Sequence, residues 1–255
     1  MSLPLAGHCI LVTRPQAQSA ALAQKIRDAG GEALVFPTIA IHPVVNDTLA
    51  LQIDQLHEFD AAAFISPNAA QYGAVAVRAR REFPPHLTIY AVGSATARAL
   101  ARQGLLNATH PNGQDSEALL ALPQLHNIAG QRIVIFRGVG GRAFLADILR
   151  ARGAKVEYAE CYRRVRPEVD AAPLLAQWLA GGVSAVTITS AKSLQNLGAM
   201  LGGVGVEHLR TTPVFASHEK IAAAARQFGI YQVIATAAGD DGLLAGLITW
   251  FRTHA

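Results

Sequence analysis

The chain nearly repeats itself, and that repeat constrains its fold more than any other feature. Ile10-Leu-Val-Thr-Arg14 is followed by Gly30, and Ile133-Val-Ile-Phe-Arg137 by Gly153, with the two arginines 123 residues apart and the same Arg-to-Gly spacing in both. Phe64-Ile-Ser66 leads into Asn68-Ala-Ala-Gln71, and 124 residues later Ile188-Thr-Ser190 leads into Lys192-Ser-Leu-Gln195. Ala97–Gly104 and Ala222–Gly229 form a third related pair. Alanine-rich helices resemble one another by chance, but the matched spacings argue for two similar α/β lobes. The space between paired lobes is a common ligand position.

With 255 residues, the chain is long enough for two domains of about 125. Hydrophobic residues make up 51% and charged residues 16%, a composition that supplies a core and argues against disorder. No run of about 18 apolar residues occurs, so no membrane span is expected. Met1-Ser-Leu-Pro-Leu-Ala-Gly7 lacks a basic stretch followed by a long apolar one, so no signal peptide is expected. Cys9 and Cys161 fall in predicted strands without metal-ligand spacing and read as reduced thiols of a cytoplasmic protein. The net charge is +4, but Lys and Arg are scattered, the nearest clusters being Arg78-Ala-Arg80-Arg81 and Arg163-Arg164-Val-Arg166. That distribution disfavours nucleic acid. It suits a small polyanion, and equally a mildly basic solvated surface.

Short apolar runs alternate with alanine-rich amphipathic stretches. Strands are predicted over 8–13, 33–41, 61–65, 88–92, 132–136, 155–163, 184–189, 213–216 and 232–235. Helices are predicted over 17–29, 69–78, 95–103, 116–122, 142–152, 173–180, 192–201, 220–228 and 242–252. Such alternation predicts parallel sheets covered by helices on both faces. Gly30, Gly104, Gly153 and Gly229 each follow a predicted helix and read as left-handed C-caps. Residues 33–45 and 155–165 read as unusually long strands at equivalent places in the two units, each near a proline (Pro43, Pro167). Paired antiparallel, they would bridge the lobes.

In open α/β sheets, anions collect where strand C-termini meet helix N-termini. Six such turns carry suggestive residues: Thr13-Arg14-Pro15, Ser66-Pro67-Asn68, Gly93-Ser-Ala-Thr96, Arg137-Gly-Val-Gly-Gly-Arg142, Thr189-Ser-Ala-Lys192 and Ser217-His-Glu-Lys220. Each reads singly as an ordinary N-cap, and together they suit a large polycarboxylate. Arg137–Arg142 is not Gly-x-Gly-x-x-Gly, and neither a P-loop nor a Gly-x-Ser-x-Gly elbow occurs. The histidines lack metal-ligand spacing, so neither a metal nor an organic cofactor is called for.

The ordered set Val12-Thr-Arg-Pro15, Phe64-Ile-Ser-Pro-Asn-Ala-Ala70, Val92-Gly-Ser-Ala-Thr-Ala97, Phe136-Arg-Gly-x-x-Gly-Arg142, Gly153-Ala-Lys-Val156, Cys161-Tyr-Arg-Arg164 and Ile188-Thr-Ser190 resembles the uroporphyrinogen-III synthase family. The resemblance spans nearly the whole chain. It implies two doubly wound parallel-sheet lobes joined by a two-stranded antiparallel ladder, with residues 1–36 and 168–255 in one lobe, 37–48 and 156–167 in the ladder, and 49–155 in the other lobe. It implies a cyclising lyase that closes hydroxymethylbilane, a linear tetrapyrrole polycarboxylate, to uroporphyrinogen III with loss of water and inversion of the last pyrrole ring. No cofactor, nucleic acid or membrane is implied, and the upstream hydroxymethylbilane-forming enzyme is the one macromolecular partner, met transiently.

Carried over by position, Tyr162 matches the tyrosine facing the site and is the expected general acid. A phenol, with an ordinary pKa of about 10, carries its proton at neutral pH; packing is its alternative role. Ser66, Asn68 and Thr96 match turn residues, and Ser190 and Ser217 complete the hydroxyl set. Arg14, Arg137 and Arg142 are expected to pair carboxylates in forked fashion, or, for Arg14 and Arg137, to tie down their own loops. Lys192 and Lys220 add charge, although Ser217-His-Glu-Lys220 departs from the family pattern of glycine followed by threonine. Two other classes fit the same turns: a two-lobed anion-binding protein without chemistry, and a sugar-nucleotide transferase.

Overall fold

The structure is a computed structural model that describes residues 3–254; Met1, Ser2 and Ala255, at the ends of the segments expected to form one lobe, lie outside the described residues. The chain forms two compact units, Met1–Ala40 with Val165–Ala255, and Ile41–Arg164. It begins with β1 (Cys9–Val12), α1 (Gln16–Asp28) and β2 (Glu32–Val35). The second unit follows with β3 (Ala40–Pro43), α2 (Asp47–Asp54), β4 (Ala61–Phe64), α3 (Pro67–Arg78), β5 (Thr88–Ala91), α4 (Ser94–Arg102), α5 (Ser116–Leu120), β6 (Arg132–Gly138), α6 (Phe144–Ala151) and β7 (Lys155–Val165). The chain then returns through α7 (Ala172–Leu179), β8 (Ala185–Ile188), α8 (Ala191–Thr211), β9 (Val214–Ala216), α9 (Glu219–Phe228), β10 (Val233–Ala235) and α10 (Gly239–Thr253).

The first unit holds a five-stranded sheet in the order β10-β9-β8-β1-β2, and every pair in it is parallel. Its central strands β1 and β8 are buried at every position, as parallel strands covered on both faces require. The chain runs from β1 outward to β2 and then returns to β8 on the other side of β1. The direction of winding therefore reverses between β1 and β8. The second unit's sheet runs β3-β7-β6-β4-β5, with β7-β6, β6-β4 and β4-β5 parallel. Here the winding reverses between β4 and β6, and such reversal points open a crevice at the strand C-termini.

Local chemistry explains where the elements depart from the sequence expectation. Residues 33–41, and the longer stretch to 45, do not form one strand. Pro37 lacks the N–H that a continuous ladder needs, so the chain leaves the first sheet after Val35 and joins the edge of the second at Ala40. The helix predicted over 192–201 continues to Thr211, but it kinks at Gly202, whose φ of 67° breaks the helical run. The four expected C-cap glycines all take positive φ, from 76° at Gly104 to 97° at Gly229. α2 was not expected; Asn46 caps it by accepting the Leu49 N–H at 2.8 Å, and Leu49 and Ile53 bury its inner face.

Under the reversal point of the second unit, the rings of Phe64 (β4) and Phe136 (β6) stack at 4.6 Å and 5°. Ala61-Ala62-Ala63 precedes Phe64 with every side chain buried, and these small residues let helices lie close to the sheet. A Cβ added at Gly73 of α3 would fall 2.7 Å from the Phe136 ring, so the absence of a side chain at Gly73 lets α3 settle against β6. This packing fixes the ends of β4 and β6, from which the candidate site is built.

Candidate active site

Ser66 ends the turn after β4 and caps α3, its Oγ accepting the Ala69 N–H at 3.0 Å, while Pro67 takes the first helical position. Across the reversal point, β6 ends in Arg137-Gly138. Beside it the register against β7 shifts, because Arg137 faces Glu160 but Gly138 faces Tyr162. The extra residue breaks the in-out alternation, so Cys161 and Tyr162 are both buried, at 1% and 3% exposure. The Val139 N–H bonds the Tyr162 carbonyl at 2.8 Å and fastens the shifted pair.

Gly138 forms the floor under Tyr162. A Cβ there would lie 2.6 Å from the Tyr162 Cζ and 3.0 Å from its hydroxyl oxygen, so only glycine lets the ring lie where it does. The phenol oxygen sits 3.1 Å from Ser66 Oγ and accepts from the Arg164 guanidinium at 3.2 Å. Tyr72 packs beside the ring at a centroid distance of 6.0 Å.

The loop after Gly138 is clamped from two sides. Arg137 is buried, donates to the Gly138 carbonyl at 3.2 Å and also to the Gly140 carbonyl, and lies 4.5 Å over the Tyr158 ring. Glu160 accepts the Gly140 N–H at 3.1 Å. Arg137 is thus engaged with its own loop. Arg142, at the far end of the loop, has a side chain 73% exposed and only a 3.6 Å contact with Glu117. An exposed pair of that length is weak and can exchange for another carboxylate.

These parts enclose a cavity of about 310 Å³, lined by Ser66, Arg137, Arg142, Tyr162 and Arg164 together with Asp115 and Ser116. Four of the residues expected from the sequence therefore meet at one place. Asn68 lies in the first turn of α3, and Thr96 is buried in the first turn of α4; neither lines this cavity.

The remaining expected residues belong to the first unit. Arg14 forms an ion pair with Asp240, and both side chains are mostly buried. Ser190 caps α8 by accepting the Ser193 N–H at 3.0 Å, and Ser217 is buried at the end of β9. Lys192 and Lys220 are exposed in the first turns of α8 and α9. At the reversal point of this sheet lies a buried hydroxyl network that the sequence did not single out. Ser193 Oγ is 2.9 Å from Thr13 Oγ1 and 2.6 Å from Thr38 Oγ1, and Asn196 donates to the Thr38 carbonyl at 2.7 Å. A larger cavity of about 630 Å³ opens at the opposite, amino-terminal ends of β1 and β2, lined among others by His8, Cys9, Glu32 and Ser184. None of the expected residues reaches it, and the strand C-termini rather than this end carry the converging hydroxyl and guanidinium groups.

Both cysteines are unsuited to nucleophilic chemistry. Burial pushes the Cys161 thiol up to about 12, and burial with the nearby Glu32 carboxylate pushes Cys9 up to about 11, so neither forms a thiolate at neutral pH. Among the described residues, no three His, Cys, Asp or Glu side chains gather where a metal ion could be held. No helix among them is long and apolar enough to cross a membrane. Arg164, Asp115 and Ser116 line this site but were missed by sequence reading, and for Arg164 a signal existed. Its spacing carried the signal, since residues two apart on a strand share a face and Tyr162 was already assigned to the site.

A family model described as uroporphyrinogen-III synthase HemD matches residues 20–245. The chain is 35% identical over 243 residues to the uroporphyrinogen-III synthase of Salmonella typhimurium, an alignment covering 93% of this chain and 99% of the relative. Identity and coverage are the same for the enzyme of that name from Escherichia coli. Among solved structures, a mutant uroporphyrinogen III synthase from the extremely thermophilic bacterium Thermus thermophilus aligns with a TM-score of 0.63 at 20% identity, covering 97% of this chain and 99% of that one. The uroporphyrinogen-III synthetase of Helicobacter pylori aligns with a TM-score of 0.63 at 13% identity, over 95% and 99% of the respective chains. At these identities the structural likeness speaks for the fold.

Proposed function

The chain belongs to the uroporphyrinogen-III synthase family, and from that premise we propose that it is a lyase of porphyrin biosynthesis that closes hydroxymethylbilane to uroporphyrinogen III. The observation that carries the chemical part is the Tyr162 hydroxyl, held between Ser66 and Arg164 in the cavity at the winding reversal of the second unit. Loss of water from a hydroxymethyl group needs a proton on the departing oxygen. In this reading Tyr162 donates that proton and the carbon–oxygen bond breaks with its electron pair on oxygen. Water leaves, and the adjacent pyrrole nitrogen spreads the positive charge left on carbon. Inversion of the last ring requires this carbon to bond at the ring's substituted α-carbon, the bond from there to the neighbouring methylene bridge to break, and that bridge to bond again at the free α-carbon, which gives up the proton that restores Tyr162.

The size of the cavity agrees with this division of labour. About 310 Å³ is at the small end for ligand pockets and suits one pyrrole ring with its acid side chains rather than a whole tetrapyrrole. Arg142, exposed at this cavity, is its carboxylate partner in this reading. Arg14 and Arg137 keep their internal partners and hold their loops.

Tyr162→Phe keeps the ring and removes the proton. Turnover is expected to fall by about tenfold to a hundredfold, at or below the low end for a general acid, because folding the substrate so that its ends meet supplies the rest. The remaining product should still be isomer III. Unchanged kcat in the variant would remove Tyr162 from the acid role.

A further inference from the structure

Arg164 is exposed on β7, yet its guanidinium turns back over Tyr162, 5.5 Å from the ring centroid, and donates to the phenol oxygen at 3.2 Å. No carboxylate lies within ion-pair distance of it among the described residues. A guanidinium only donates, so at this contact the phenol oxygen must accept. Ser66 Oγ already accepts the Ala69 N–H, so its own hydrogen is available for the phenol oxygen 3.1 Å away. With Gly138 as floor and Tyr72 at the side, the ring has little room to turn.

We propose that Arg164 is the positioning residue of this site: with Ser66 it fills the acceptor side of the Tyr162 oxygen, so the phenolic hydrogen is presented to the cavity. The same cation stands on the atom that becomes negative as the proton leaves for the departing hydroxyl. A donor already in place there stabilises developing charge without reorganisation. The proposal rests on the reading of Tyr162 as proton donor.

The test compares Arg164→Gln, Arg164→Lys, Tyr162→Phe and the Arg164→Gln/Tyr162→Phe double variant, each as the full chain acting on freshly generated hydroxymethylbilane. Arg164→Gln is expected to lower kcat about tenfold with KM within about twofold, since it removes an interaction that matters as charge develops. Arg164→Lys, which keeps one charged donor, should recover to within about threefold of the parent. In the Tyr162→Phe background, Arg164→Gln should change kcat by less than about twofold, because residues acting as a unit are not additive. A tenfold loss that persists undiminished in the double variant would overturn the proposal, as would a rise in KM alone, which would mark Arg164 as a carboxylate contact. Unchanged kcat in Tyr162→Phe alone would overturn the acid reading and this proposal with it. Matching far-UV spectra and Tm values separate each outcome from misfolding.

Discussion

Gly138→Val is expected to lower turnover by up to about a hundredfold, as far as loss of the Tyr162 hydroxyl itself, while the chain still folds. The new Cβ falls 2.6 and 2.7 Å from Tyr162 Cζ and Cε2, contacts that covalent side chains do not tolerate. The backbone cannot give way easily, because the Val139 N–H holds the Tyr162 carbonyl at 2.8 Å and β6 is registered against β7. The ring must therefore leave its seat and with it the contacts to Ser66 and Arg164. Displacement of a reacting group by about 1 Å can cost a hundredfold in rate. Overpacking at one strand end costs on the order of 1–3 kcal/mol in stability. Steady-state kinetics beside a thermal melt checks both parts; kcat within about threefold of the parent would show that the position of Tyr162 does not matter.

The largest stability effect is expected for Phe136→Ala. Phe136 is 1% exposed, stacks on Phe64 and fills the space left open by Gly73. Truncation removes apolar contact and leaves a cavity between β4, β6 and α3 that small neighbours such as Ala62 cannot fill. Changes of this kind cost about 3–5 kcal/mol. For a chain of this size that corresponds to a fall in Tm of about 10 °C. Differential scanning calorimetry measures it directly; a fall below about 3 °C would mean that the site closes over the gap. Because Arg137 follows Phe136 in β6, turnover of the folded fraction should fall as well.

The two residues illustrate what was legible in the sequence and what was not. Central strands of a parallel sheet are mostly apolar, so β1, β4, β6 and β8 stood out as short runs, but the repeat, which matches β1 with β6 and β4 with β8, did not give their grouping: the structure places β1 with β8 in one sheet and β4 with β6 in the other. The join at 33–45 was misread because its apolar pattern continues past Pro37, whereas the backbone cannot. The extension of α8 was hidden behind Gly202 and Gly203, which look like a stop but make a kink. Ser66, Arg137, Arg142 and Tyr162 were all found from strand-to-helix turns and family resemblance, and they line one cavity.

Partners brought together by the fold were not legible. Asp240 pairs with Arg14 across 226 residues, and Thr38 meets Ser193 across 155. Nothing local marks either contact, so the sequence left Arg14 both as a carboxylate partner of the substrate and as a tie for its own loop, without pointing to Asp240. Arg137 likewise turns inward onto Gly138, Gly140 and Tyr158, which leaves Arg142 as the outward-facing guanidinium of that loop.

The most direct test of the central claim is the isomer composition formed from fresh hydroxymethylbilane, read after oxidation and separation of the porphyrins, with and without the purified chain. Left alone, the linear substrate should close without inversion to isomer I. Rapid, protein-dependent formation of isomer III is the predicted result. Isomer I appearing at the rate of the protein-free control, from a sample with a cooperative thermal transition, would contradict the account and leave a folded chain without the proposed activity.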